Sequence, residues 1–238
     1  MSEQGWSEDY WNKFLSKHWE RRPARLEVPP WGRFCNLEEL FDTILSARGS
    51  KRLKSDRFWV ARKSVPGEID DYRFVSLDLF GPRLSDGNFD GFFARMHGRC
   101  FGINLHRLGN FRQALMESLA YPIKRLENVP GTGLVRRWDL DTFFGNYQMT
   151  PFGIHQDRAS VFSFCLQGER TYLTWPPDYP WAPDDLFVPD QSRLERHRRT
   201  AESFHIQAGD FFYWPSNRWH VVCSDGRPSV VVQLSGYF

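Results

Sequence analysis

The spacing of apolar side chains predicts a helix near the start of the chain. Ser7 is a residue type that often caps helices, and a helical period follows it and stops before Pro23. The apolar positions with this period are Tyr10, Trp11, Phe14, Leu15 and Trp19. This pattern indicates an amphipathic helix that packs one aromatic face against the rest of the protein.

Two further helices are predicted before residue 125. Asn36 is followed three residues later by Glu39, the spacing of a capping box, and the apolar period after them ends at Gly49. A third helix is predicted from near Asn110 to Pro122. The first half of the chain therefore reads as helical and mixed.

From residue 140 onward the helical period is lost, and short β-type segments separated by glycine or proline follow one another. The predicted strands are 140–149, 153–158, 161–167, 170–175, 203–207, 210–214, 219–223 and 229–235. An earlier strand is predicted where Phe101, Ile103 and Leu105 alternate with smaller or polar residues. Many short strands with regular turns predict a closed or sandwiched β body.

One connection, residues 176–202, has no periodicity and carries several prolines and a basic cluster. A structureless connection longer than about 15 residues is usually a lid, a binding loop or a disordered segment. The alternative is that residues 176–202 form a charged segment exposed to solvent.

Composition limits the class of protein. The chain has 238 residues, 41% of them hydrophobic, a net charge of +2 and a mean hydropathy of −0.55. This is enough apolar surface for a sizeable core, without an apolar run long enough to span a membrane or a charge excess that would recruit nucleic acid. We expect one domain over 1–238, with a helical and mixed part (1–139) and a β core (140–238).

The cysteines are too scattered for a disulfide framework or a zinc site. They are Cys35, Cys100, Cys165 and Cys223. The N-terminus has neither a basic region nor an apolar stretch typical of a secretory signal. We therefore expect reduced, mostly buried thiols in a cytoplasmic protein.

The candidate chemistry centres on a His-x-Asp pair. His155 and Asp157 lie two positions apart on a predicted strand, so their side chains point to the same face. His220 opens another predicted strand after a turn. Two imidazoles and one carboxylate on adjacent strands can occupy one face of an octahedral metal, which is the facial triad of non-haem Fe(II) oxygenases.

Three blocks of sequence carry a resemblance to a known family. They are the run 146–151 that leads into His155, the segment 162–177 that contains Gln167-Gly168-Glu169-Arg170, and the segment 209–220 that ends in Trp219-His220. In order and spacing they resemble the JmjC/cupin class of Fe(II)- and 2-oxoglutarate-dependent oxygenases, including asparaginyl hydroxylases. Residues 14–23 are similar to the opening of bacterial ribosomal-protein oxygenases.

The resemblance implies a mainly β fold, a double-stranded β-helix of the jelly-roll or cupin type with N-terminal helices packed on it. It implies that Fe(II) is held by His155, Asp157 and His220. Related halogenases replace the carboxylate, so an intact Asp157 favours hydroxylation.

The resemblance also implies a co-substrate site. Arg170 stands where the family binds the distal carboxylate of 2-oxoglutarate, and a guanidinium suits that role because it forms two parallel charge-assisted hydrogen bonds. Asn146 and Thr150 are candidates for further hydrogen bonds to 2-oxoglutarate, although either suits a turn equally well. Gln233 is a weaker candidate near the metal.

The implied activity is hydroxylation of an amino-acid side chain in a peptide or protein, which consumes O₂ and 2-oxoglutarate and releases succinate and CO₂. Two alternatives stay open: a hydroxylase of a free amino acid or small natural-product intermediate, and a non-catalytic metal-binding cupin. The sequence given ends directly after the last predicted strand, which is compatible with a small substrate. A homodimer is a further option.

The remaining histidines are left out of the predicted site. His18, His97 and His106 are interpreted as surface or packing residues. His205 lies on a predicted strand without a carboxylate two positions away, and His197 lies in the basic connection. None of them enters the predicted metal site.

Overall fold

The computed structural model describes residues 7–27, 35–48, 57–62, 71–75, 80–120 and 135–238. Within these ranges the helices are α1 (Glu8–Lys17), α2 (Leu37–Ala47), α3 (Phe89–Arg95), α4 (Gln113–Ala120) and α5 (Gln191–Arg198). The strands are β1 (Ala24–Leu26), β2 (Arg57–Arg62), β3 (Asp71–Val75), β4 (Cys100–Leu105), β5 (Arg137–Gly145), β6 (His155–Gln156), β7 (Ala159–Gln167), β8 (Glu169–Trp175), β9 (Glu202–Gln207), β10 (Phe211–Trp214), β11 (Trp219–Cys223) and β12 (Ser229–Tyr237).

The strands form two antiparallel sheets that face each other. The larger sheet has the order β1-β10-β7-β12-β5-β4-β2-β3, and the smaller has the order β6-β11-β8-β9. Strands from before residue 139 thus join the larger sheet at both of its ends. Two packed antiparallel sheets with a few helices are a jelly roll, which confirms the predicted fold class.

The N-terminal helices form as their sequence predicts. The Ser7 hydroxyl accepts a hydrogen bond from the backbone of Tyr10, and Asn36 and Glu39 form both halves of a capping box at the start of α2. The third predicted helix begins at Gln113, three residues later than expected, after a 3₁₀ turn over Leu108–Asn110. Side-chain caps therefore fix the first two helix starts.

Alternation along β7 places the core on both faces of the larger sheet. Phe162 points to the outer face, where its ring lies 5.9 Å from that of Phe14 in α1. Val161 and Cys165 point the other way and pack with Tyr172 of the smaller sheet. Burial on both faces explains why β7 is mostly apolar, with the small residues Ser160 and Ser163 as its buried polar positions. The helices α1 to α4 cover the outer face of the larger sheet, and the space between the sheets is left for a cavity.

The connection from 176 to 202 is ordered, so the prediction of a structureless segment was wrong. It contains a 3₁₀ turn over Pro183–Asp185 and the helix α5. Asp190 caps α5 by accepting hydrogen bonds from the backbone of Ser192 and Arg193. Leu194 is the sole buried residue of α5. The cap at Asp190 stabilises α5, which has no apolar stripe. Hydrophobic periodicity therefore could not predict this helix.

Among the helices described, none is long and apolar enough to cross a membrane.

Candidate metal centre and cavity

The three predicted metal ligands come together at one end of the smaller sheet. His155 of β6 and His220 of β11 are direct cross-strand partners, and their ring centroids lie 4.4 Å apart. Asp157 follows β6 immediately, and its Oδ2 lies 3.4 Å from Nε2 of His220. One ligand atom from each of the three residues lies within 4.8 Å of the others.

Backbone carbonyls orient both imidazoles. Nδ1 of His155 donates to the carbonyl oxygen of Gly153 at 2.9 Å, and Nδ1 of His220 donates to that of Arg218 at 3.0 Å. In each case the acceptor lies two residues earlier in the chain. Holding the proton on Nδ1 leaves Nε2 as the lone-pair nitrogen, which is how metal-binding histidines are fixed in proteins.

The electrostatics of the cluster suit a cation. Burial, together with the neighbouring His220, lowers the pKa of His155 to about 4. Burial opposes the ionisation of Asp157, but the hydrogen bond and charge of His220 hold its pKa well below its usual range. Burial likewise opposes the charged form of His220, yet the hydrogen bond to Asp157 raises its pKa. The cluster thus offers a neutral imidazole and an ionised carboxylate.

A glycine lets another segment approach the strand that carries His155. Gly153 has a φ of +59°, and a Cβ there would lie 2.3 Å from the carbonyl oxygen of Val188. The backbone of Phe187 donates to the carbonyl of Ile154 at 3.0 Å, which extends a parallel bridge between Ile154 and Leu186. The connection from 176 to 202 is therefore fixed to the metal strand itself.

A cavity of about 380 Å³ opens beside the metal ligands. His155, Asp157 and His220 line the wall formed by the smaller sheet. The Asp157 side chain is 42% exposed because it faces this space. Phe187 lines the mouth and is 64% exposed. The candidate ligands are therefore accessible from outside through the cavity.

Arg170 lies in the same cavity and is almost completely buried. Its Nε donates to Oγ of Ser229 at 3.0 Å, and Nη2 donates to the carbonyl oxygen of Phe143 at 2.9 Å. Its guanidinium lies 5.2 Å from the ring centre of Tyr147. Among the described residues no carboxylate forms an ion pair with it. A buried positive charge in a cavity wall is therefore left to be neutralised by a ligand.

Of the other residues predicted near the metal and the co-substrate, two line the cavity and one does not. Thr150 lines the cavity, and its buried Oγ1 has no hydrogen-bond partner among the described residues. Gln233 is buried in the cavity wall. Asn146 differs from expectation: its amide accepts from the backbone of Phe101 at 2.9 Å and donates to the carbonyl of Arg99 at 2.6 Å, and it does not line the cavity. Asn146 is therefore left out of the set proposed below.

Three polar residues of the cavity wall were missed by the sequence analysis. Asn104 of β4, His106 just after it and Asp141 of β5 line the wall that the larger sheet contributes. The interpretation of His106 as a surface or packing residue is corrected here, because its Nδ1 lies 3.1 Å from Oδ1 of Asp141. The signal was the two-residue spacing of Asn104 and His106, but the partner Asp141 is distant in sequence.

The donor set fits a ferrous ion. Two imidazoles and one carboxylate on one side, with the cavity on the other, are the arrangement that non-haem Fe(II) sites use to keep open positions for ligands. The set includes no cysteine, whose thiolate would favour zinc or copper(I). The residues present therefore suit Fe(II).

The two sheets and the position of this site give the chain the fold of JmjC-type 2-oxoglutarate oxygenases. A solved structure described as YcfD, a ribosomal oxygenase from Escherichia coli, is similar over 100% of this chain, with a TM-score of 0.57 and 17% sequence identity. The structure of YcfD in complex with cobalt and 2-oxoglutarate is similar over 99% of the chain, with a TM-score of 0.56 and 16% identity.

The likeness covers only part of those proteins. The present chain spans 53% of the length of both YcfD structures. No protein-family model matches the sequence, and no curated protein is similar to it. The comparisons therefore establish the fold, and the activity has to be argued from the residues of this chain.

Proposed function

We propose that this protein is an Fe(II)- and 2-oxoglutarate-dependent dioxygenase that hydroxylates an amino-acid side chain of a peptide or protein. The observation that carries the proposal is the buried guanidinium of Arg170 in the same cavity as His155, Asp157 and His220. A metal triad alone fits many proteins, whereas a triad facing an unneutralised cation needs an anionic ligand between them.

2-Oxoglutarate fits that requirement from both ends. Its distal carboxylate can accept charge-assisted hydrogen bonds from Arg170, and the hydroxyl of Thr150 is available for a further bond. Its 2-oxo acid end can chelate the metal held by the triad. The YcfD structure that contains cobalt and 2-oxoglutarate supports this assignment through a shared fold.

The residues of this chain then have separate tasks. Fe(II), when bound, supplies the oxygen chemistry that decarboxylates 2-oxoglutarate to succinate and CO₂ and delivers a hydroxyl group to the substrate. His155 and His220 keep their protons on Nδ1 and offer Nε2 to the metal. Asp157 supplies negative charge, and Arg170 orients the co-substrate from the buried end of the cavity. The rings of Phe152 and Trp214, 5.6 Å from His155 and 5.4 Å from His220, limit the access of water.

A peptide or protein substrate is favoured by the mouth of the cavity. Phe187 exposes 64% of its surface there and the adjacent Val188 exposes 37%, and neighbouring exposed apolar side chains beside a site favour contact with a partner. The description of YcfD as a ribosomal oxygenase points the same way. A hydroxylase of a free amino acid or small natural-product intermediate is the second candidate, and the enclosed volume of about 380 Å³ favours it.

The test is an anaerobic titration of the metal-free protein with Fe(II) and then with 2-oxoglutarate, recorded as the visible charge-transfer band of the chelate. We expect the band in the wild type and in a His205→Ala control on β9, and a strongly weakened response in Arg170→Ala. Iron binding without a band would contradict the co-substrate assignment and favour a metal-binding cupin. The single domain, the homodimer and the cytoplasmic location stay predictions.

A further inference from the structure

A chain of hydrogen bonds runs along the cavity wall of the larger sheet. Oγ of Ser235 donates to Oδ2 of Asp141 at 2.9 Å, and the backbone of Arg107 donates to Oδ1 of the same carboxylate at 3.1 Å. Nδ1 of His106 lies 3.1 Å from that Oδ1, and Nε2 of His106 lies 2.9 Å from Nδ2 of Asn104. This series of hydrogen bonds thus ends at the side-chain amide of Asn104.

The donors and acceptors fix the direction of every bond. Nδ1 of His106 lies 3.1 Å from Oδ1 of Asp141, a carboxylate oxygen that can only accept, so the proton of a neutral His106 belongs on Nδ1. Nε2 of His106 must then accept from the amide nitrogen of Asn104. The amide oxygen of Asn104 therefore points away from these hydrogen bonds. It is buried and has no hydrogen-bond partner among the described residues, and Asn104 lines the cavity.

We propose that Asn104 is a specificity-determining residue for the primary substrate: its amide oxygen, held by His106 and Asp141, accepts a hydrogen bond from a substrate group that carries N–H donors. This inference rests on the proposed function, since it places the primary substrate in the same cavity as the co-substrate. A buried acceptor without a partner is costly, and a donor from the substrate removes that cost. A carboxylate or hydrocarbon group at the same place would leave it unpaired.

The charge of the wall favours the same class of substrate. Asp141 is buried, and the charge it carries faces neutral donors, namely a hydroxyl, a backbone amide and a neutral imidazole. With Fe(II), 2-oxoglutarate, Asp157 and Arg170 in place, the formal charges of the metal, co-substrate and their binding residues sum to zero, and Asp141 remains as an excess negative charge. Amide, ammonium or guanidinium groups fit this wall, whereas acidic groups are repelled.

Two substitutions separate hydrogen-bond polarity from charge. Asn104→Leu removes the acceptor with little change in volume. Asp141→Asn removes the charge but keeps the direction of the bonds, because the backbone N–H of Arg107 still requires an oxygen at the Oδ1 position, where His106 also donates. Asp139→Asn is the matched control: it removes a carboxylate of the same strand whose ion pairs are with the side chains of Arg137, 3.0 Å away, and Arg107, 3.7 Å away.

The probes are five acetylated tripeptide amides, Gly-X-Gly, in which X is glutamine, lysine, arginine, norleucine or glutamate. Their affinities are measured anaerobically from the change each causes in the charge-transfer band of the protein loaded with Fe(II) and 2-oxoglutarate. We expect the wild type and Asp139→Asn to bind the glutamine, lysine and arginine peptides roughly tenfold or more tightly than the other two. In Asn104→Leu this difference in affinity should disappear. In Asp141→Asn the glutamine peptide should still bind more tightly than the norleucine peptide.

A second readout needs no substrate. Nitrogen-15 NMR of the metal-free protein reports the tautomer of His106, and we expect the proton on Nδ1 in both the wild type and Asp141→Asn. A proton on Nε2 in the wild type would overturn the proposal, as would equal binding, or no binding, of all five peptides. Loss of the charge-transfer band in the wild type would instead count against the proposed function, because the band does not depend on the peptide.

Discussion

Arg170 on β8 donates a hydrogen bond from Nε to Oγ of Ser229, the first residue of β12, at 3.0 Å. The bond joins the two sheets at the buried end of the cavity and fixes the plane of the guanidinium. A second bond, from Nη2 to the carbonyl oxygen of Ser229 at 3.3 Å, leaves little freedom for the side chain. The cation is thus positioned before any ligand arrives, which reduces the entropy lost on binding.

Replacing Arg170 by methionine separates its effect on binding from its effect on stability. We expect the affinity for 2-oxoglutarate to fall by roughly 100-fold or more, because hydrogen bonds to a charged group are lost. The free energy of unfolding of the metal-free protein should change by only on the order of 1 kcal/mol, because removal of an unpaired buried charge is offset by loss of the hydrogen bonds that Arg170 donates to Ser229 and Phe143. The band titration and urea unfolding check these changes. Unchanged affinity would remove Arg170 from the co-substrate site.

Replacing any one of the triad residues with alanine should abolish iron-dependent turnover of 2-oxoglutarate. His155→Ala, Asp157→Ala and His220→Ala each remove one of three ligands, which weakens Fe(II) binding, and Asp157→Ala also removes the carboxylate that favours hydroxylation. The measurements are iron binding by calorimetry and succinate formation. His97→Ala, which lies outside the cavity, serves as the control. Full turnover in any triad variant would show that the metal is bound elsewhere.

Gly153→Ala should destabilise the protein more than Gly209→Ala. Both glycines have positive φ values, +59° and +92°, so both substitutions carry the backbone penalty of about 1–2 kcal/mol. Nothing lies within 4 Å of a Cβ at Gly209, whereas one at Gly153 would collide with the backbone of Val188. The steric term should add about 1–3 kcal/mol to the loss in unfolding free energy. Equal losses in urea unfolding would contradict the close approach.

Phe187→Asn should stabilise the fold. Phe187 has a φ of +58°, a left-handed conformation that asparagine adopts more readily than phenylalanine, and most of its ring is exposed. We expect the free energy of unfolding to rise by on the order of 1 kcal/mol. Leu84→Asn is the control, since Leu84 is 84% exposed in a turn without positive φ and should show no gain. A stability loss in Phe187→Asn would show that the aromatic ring contributes more than its backbone strain removes.

The buried cysteines should resist alkylation in the folded protein. Burial raises the pKa of Cys35 to about 12 and that of Cys165 and Cys223 to about 11. At pH 8 these thiols stay protonated, and the thiolate is the reactive form. We expect iodoacetamide to label half-buried Cys100 first and the other three only after unfolding, as read by mass spectrometry of peptides. Rapid labelling of Cys165 in the folded state would contradict its burial.

Local signals in the sequence are enough to predict most strands and the three residues that come together as candidate metal ligands. β11 has the predicted bounds, and β8 differs from prediction by one residue. The His-x-Asp spacing works because both side chains belong to one short segment, and cross-strand pairing then brings His220 beside His155. These features depend on side-chain alternation and on turn residues, which are local properties of the chain.

Features that depend on contacts distant in sequence could not be predicted. α5 forms because of the cap at Asp190 and packs through a single side chain, Leu194. The position of Asn146 in the sequence makes it a candidate for the co-substrate site or for a turn, and its amide bonds to the backbone of β4, about 45 residues away. The wall of Asn104, His106 and Asp141 requires two strands to pair before any pattern is visible. In all three, contacts between segments distant in sequence determine the structure.

A bound metal would also stabilise the position of β6, because this strand is very short. This strand has two residues, and its place at the end of the smaller sheet depends on pairing with β11. An ion held by His155 and His220 would link these strands through coordinate bonds, side chain to side chain, at the place where the backbone ladder is shortest. Because a ligand that binds only the folded state stabilises it by mass action, iron supply would regulate how firmly the entrance to the cavity is held.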